Sequence, residues 1–118
     1  MNGRFTLNWE PRAKNQFEQL EAAALRSFNA RQETGRTKSS RQEGLYDQVV
    51  KCLSLLESNP RHPGLQTHVF TSIEHPFKAG EKVFEAYAQN RTPSAYRVFW
   101  CYGPGRGEIR IIAITSHP

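Results

Sequence analysis

The sequence predicts an α+β fold: an N-terminal strand, a helical hairpin, then an antiparallel sheet of three to four strands packed on the helices. Two observations predict it. Apolar residues recur at helical spacing in the first half and alternate with a period of two in the second. A third sets the scale: the 118 residues suit one domain spanning 1–118, since single cores commonly occupy roughly 100–150 residues.

The first strand is carried by Phe5, Leu7 and Trp9, which alternate with polar residues and give one buried face. Pro11 suits the first turn of a helix, where its missing N–H is no loss. Ala13, Phe17, Leu20, Ala24 and Phe28 then place an inward stripe on a helix over 11–31. Residues 32–44 contain no apolar side chain and carry Arg36, Lys38 and Arg41; they read as a solvated loop, or as a basic arm that touches RNA phosphate or a partner. A second helix over 45–58 presents Leu45, Val49, Leu53 and Leu56, and Asn59-Pro60 ends it.

The period changes after that. A short strand is expected at 67–72 and longer ones at 82–89, 95–102 and 108–116. The links at 90–94 and at Gly103-Pro104-Gly105-Arg106-Gly107 are short, as an antiparallel meander requires. The second link lacks the GK[ST] ending of a phosphate loop and lies between strands, so it reads as a hairpin turn.

Composition narrows the function. Apolar residues make up 37% of the chain, with two tryptophans, four tyrosines and seven phenylalanines for a modest core. No apolar run approaches the roughly 18–20 residues of a membrane span, and no signal peptide is evident. A cytoplasmic protein without a membrane partner is the expectation. Cys52 and Cys101 form no metal pattern or disulfide framework, and His62, His68 and His75 lie six and seven residues apart, which is no zinc spacing. Neither a metal nor a cofactor is expected. Sixteen Lys+Arg against eleven Asp+Glu leave a net +5, which favours a polyanionic partner.

Helices on one side of a sheet leave its other face to solvent or function. Tyr96, Val98 and Trp100 form the buried set of their strand, so Arg97 points to the open face with Phe99 and Cys101. Phe84, Ala86 and Ala88 suit the helix side of the neighbouring strand, leaving Glu85 and Tyr87 on the face of Arg97. A carboxylate, a phenol and a guanidinium thus share one surface, and His117 follows the last strand. The plainer alternatives are a cross-strand Arg97–Glu85 ion pair, packed tyrosines and a histidine on a frayed tail.

The segments 5–13, 95–100 and 111–118, with Tyr96-Arg97 followed by apolar residues, resemble the RelE/ParE superfamily of toxin–antitoxin toxins. The resemblance implies an endoribonuclease that cleaves mRNA on the ribosome by metal-independent acid–base chemistry. It further implies translation inhibition, plasmid stabilisation and a cognate acidic antitoxin. By the same resemblance Arg97 supports the scissile phosphate and His117 acts as general acid. The glutamate base of YoeB-like members would align near Pro63, leaving Glu85 as a functional stand-in. Tyr87 offers a ring for an unstacked base, and Lys82 and Arg61 are candidates to border the RNA, with a plain surface role as the alternative for Arg61. The lysines of RelE-like members are absent apart from Lys82. That departure supports the alternative of a non-catalytic member that binds a protein target such as gyrase, or of a degenerate binding module.

Overall fold

A computed structural model describes residues 4–90 and 92–116. The chain runs through β1 (Thr6–Trp9), α1 (Pro11–Thr34), α2 (Arg41–Ser58), a 3-10 turn (Pro63–Leu65), β2 (His68–Val69), β3 (Phe84–Tyr87), β4 (Tyr96–Tyr102) and β5 (Glu108–Ser116). Five strands form one sheet in the order β1-β5-β4-β3-β2. Strands β2 to β5 make the antiparallel meander, and β1 joins its far edge parallel to β5, with Trp9 opposite Ile111. The parallel edge was not part of the expectation. It arises because the helical hairpin carries the chain across the sheet before the meander returns to β1.

Both helices are longer at the hairpin end than their apolar stripes. Helix α1 runs to Thr34 and stops at Gly35, whose φ of 75° is the left-handed conformation a glycine adopts without a Cβ penalty. Its last carbonyls are satisfied there: Gly35 N–H donates to Gln32 O at 3.4 Å and Arg36 N–H to Arg31 O at 3.0 Å. Helix α2 opens on a capping box. Glu43 N–H donates to Ser40 Oγ at 3.2 Å, and Ser40 N–H donates to Glu43 Oε2 at 2.9 Å. Glu43 also accepts from Arg31 Nε at 2.9 Å, which ties the last turn of α1 to the first of α2. The Ser40 backbone N–H and the Arg31 guanidinium hold the Glu43 carboxyl below its usual range. The predicted loop over 32–44 therefore shrinks, and Arg41 lies in the helix.

The main core lies between helices and sheet. Ala13, Val49, Leu53 and Leu56 meet Ala86, Val98, Trp100, Ile109, Ile111 and Ile114. Gln16 adds a polar tie, its Oε1 accepting from Ile114 N–H at 2.7 Å. The inward stripe of α1 ends at Ala24; Phe28, expected inside, is exposed beside Leu25, with the Arg31 guanidinium 5.0 Å from its ring centre.

The opposite sheet face is not open. Val83, Phe99, Cys101, Ile112 and Ala113 form a second buried cluster, covered by Phe70 and Ile73 from the chain between β2 and β3. A bulge serves this cluster. Phe99 pairs with Ala113 and Trp100 with Ile111, so Ile112 is the extra residue and shares its face with Ala113. Burying both faces of a sheet end adds a second apolar layer, and the polar residues left between the two layers must find partners.

Candidate functional site

Those polar residues are Glu85 and Arg97, both expected on a solvated face and both buried: Glu85 is 0% exposed and Arg97 8%. The β3–β4 register sets Tyr87 opposite Arg97, and the β2–β3 register sets His68 opposite Glu85. Arg97 is held on several sides. Its Nη1 donates to Gln89 O at 2.7 Å and to Tyr96 O at 3.2 Å. Its Nε lies 3.6 Å from Glu85 Oε2, and its guanidinium sits 3.7 Å from the centre of the Tyr87 ring. A planar cation stacked on a phenol and aimed at a carboxylate keeps one orientation, which lysine could not hold.

Glu85 has a second partner. Its Oε1 is 2.6 Å from His68 Nε2, and the His68 side chain is 47% exposed. His68 Nδ1 lies 3.1 Å from the Gln66 carbonyl, and its ring stands edge-on to Tyr87 at 5.7 Å. A buried carboxylate is costly unless it is paired, and here His68 and Arg97 flank it from two strands. At 0% exposure Glu85 does not itself present a carboxylate to a ligand; what it does is hold the side chains of His68 and Arg97 in place. His68 is the residue that sequence reasoning missed. Spacing tests for metal set it aside, and only its register opposite Glu85 on a two-residue strand reveals its place.

The other candidates fall elsewhere. Tyr87 joins the cluster, whereas Lys82 lies in a hollow of about 570 Å³ with Glu74, His75 and Glu81. Arg61 lines a separate hollow of about 550 Å³ with Phe84, Trp100 and Tyr102, side chains of the helix-facing side of the sheet. Burial raises the Tyr102 phenol, and the Arg61 charge partly opposes that rise. His117 lies outside the described residues.

The remaining histidines shape turns. His62 Nδ1 accepts from Gly64 N–H at 2.9 Å, and His75 Nδ1 accepts from Lys78 N–H at 3.1 Å. Burial pushes the Cys52 thiol up to about 12 and, with Glu10 nearby, the Cys101 thiol up to about 11. Such thiols pack rather than attack. Among the described residues, no group of three or more His, Cys, Asp or Glu side chains is gathered in metal-binding geometry. Nor is any described helix long and apolar enough to cross a membrane.

The fold built around this cluster is similar to that of solved YoeB/ParE and RelE proteins. A YoeB/ParE toxin from Agrobacterium tumefaciens superposes with a TM-score of 0.60 at 8% identity, over 96% of this chain and 99% of that one. The YoeB dimer protein from Staphylococcus aureus gives 0.56 at 10% identity, over 98% and 99%. A chain of the archaeal RelE–RelB complex from Pyrococcus horikoshii gives 0.52 at 14% identity, over 98% and 96%. No family model and no curated protein matches the sequence. The likeness is one of fold.

Proposed function

We propose that this chain is a toxin of the RelE/ParE type that cleaves mRNA, without metal, and so inhibits translation. The observation that carries the reading is Arg97, fixed between the Glu85 carboxylate and the Tyr87 ring beside a half-exposed histidine. A preset guanidinium is the group a cyclising phosphodiester needs, because negative charge grows on the phosphate oxygens in the transition state. Tyr87 and His68 offer rings beside it for an unstacked base. The net +5 supports both an RNA substrate and an acidic antitoxin, and one fold neighbour comes from a RelE–RelB complex. A cytoplasmic setting, the ribosome as the place of cleavage and plasmid stabilisation belong to this reading.

Controlled induction followed by primer-extension mapping tests it. New 5′ ends within messages, absent on induction of Arg97→Ala, are the expected result. A second reading has its own observation: Arg97 Nη1 is committed to two backbone carbonyls, which suits a structural arginine in a non-catalytic member. Growth arrest with intact messages would favour that reading, and inhibition of gyrase would give it a target.

A further inference from the structure

We infer that His68 is the general acid of the site, held by Glu85, and that it protonates the departing 5′-oxygen of the RNA. This deepens the ribonuclease reading and rests on it.

The argument begins with what the two ring nitrogens face. Nε2 meets a carboxylate that is fully buried, at 2.6 Å, in surroundings that shield the contact from water. Nδ1 meets the carbonyl of Gln66, two residues back in an exposed turn, at 3.1 Å. The first contact anchors the ring and the second is replaceable, since solvent competes with it from outside. A carbonyl oxygen and a carboxylate oxygen both only accept, so each contact is a hydrogen bond when the nitrogen that faces it carries a proton. In the proposed step a half-exposed imidazole gives up the proton on Nδ1, the nitrogen that points away from its anchor. A buried carboxylate behind one nitrogen, with the other left to work, is the division of labour by which enzymes orient a catalytic histidine.

The neighbours fit the same step. Glu85 Oε1 faces His68 and Oε2 faces Arg97, so one carboxylate sets the relative positions of the acid and the phosphate-holding cation. Tyr87 touches both, edge to ring with His68 and face to guanidinium with Arg97. Glu85 is therefore a positioning residue. In the reaction the ribose 2′-oxygen forms a bond to phosphorus and its proton passes to solvent water. The bond from phosphorus to the 5′-oxygen breaks, and the Nδ1 proton of His68 moves to that oxygen. The products are a 2′,3′-cyclic phosphate and a 5′-hydroxyl, and His68 regains a proton from water.

A leaving group that needs no proton separates this role from a structural one. A short RNA carrying sulfur in place of the 5′-bridging oxygen departs as a thiolate. The experiment compares the parent protein and His68→Gln on the ordinary and the sulfur-bridged RNA, with thermal melting of both proteins as the fold control. Glutamine keeps an amide N–H for Glu85 while removing the acid. On ordinary RNA the variant should lose about 10²–10⁴-fold in rate, the usual span for a lost acid. On sulfur-bridged RNA it should recover to within about threefold of the parent. Equal loss on both substrates overturns the inference, as does a variant that cuts ordinary RNA at the parent rate. A parent protein that cuts neither RNA, alone or in a translating extract, removes the ribonuclease reading itself and this inference with it.

Discussion

Replacing Glu85 by glutamine tests the balance of charge on which the site stands. The change keeps shape and volume and removes one negative charge from a position with 0% exposure. Breaking a buried ion pair costs about 3–5 kcal/mol when it strands the partner. Two features soften that figure. Arg97 keeps its bonds to Gln89 O and Tyr96 O and its place on the Tyr87 ring. His68, with 47% of its side chain exposed, can regain water. The expected loss is therefore near the lower bound, about 3 kcal/mol, read as a lowered midpoint in urea at unchanged slope. Pairing the change with His68→Ala should give a total smaller than the sum of the two single losses, because the two side chains are each other's partners. A Glu85→Gln protein within about 0.5 kcal/mol of the parent, the usual range for surface changes, would refute the idea that this carboxylate organises both Arg97 and His68.

Other outcomes follow from the same geometry. Arg97→Lys should leave cleavage as poor as Arg97→Ala, because an ammonium cannot reproduce a planar fork held by two carbonyls and a ring; single-turnover rates decide this. Ser40→Ala should lower stability by about 1 kcal/mol in urea unfolding through loss of the cap on α2. The Glu43 carboxyl is held low in the folded state, so its contribution is present above the unfolded carboxyl range and lost as pH falls through its folded value; an acid titration of the parent against Glu43→Gln reads it. The buried Cys52 and Cys101 thiols, raised to about 12 and about 11, should resist alkylation at pH 8 until denaturant is added. Their contribution to stability is full below the unfolded thiol value of about 8.5 and is lost as pH rises towards the folded ones.

Much of the fold was legible because its periods are clean. Tyr96, Val98 and Trp100 alternate with Arg97, Phe99 and Cys101, and the structure puts the first set against the helices and the second on the opposite face. Glu85 and Tyr87 likewise share the face of Arg97. What escaped was the cover over that face. Phe70 and Ile73 lie in irregular chain with no period, so nothing local announces that they fold back over Phe99. That omission turned a buried carboxylate into an expected solvated one. His68 escaped for a related reason: two residues of strand show no alternation, and its meaning comes from Glu85, seventeen positions on, in the β2–β3 register. The start of α2 was readable and missed, since Ser40-Arg41-Gln42-Glu43 carries the S-x-x-E spacing of a capping box. Phe28 shows the reverse error, a residue in phase with the stripe of α1 that lies beyond the sheet it would need to cover.

The most direct test of the central claim is the chemistry of the cut ends. Purified protein is added to a translating extract, and the 3′ ends of the message fragments are analysed by mass. A metal-independent site built on Arg97, Glu85 and His68 predicts fragments ending in 2′,3′-cyclic phosphate, with none from Arg97→Ala. Intact messages, or fragments with 3′-hydroxyl ends, would contradict it.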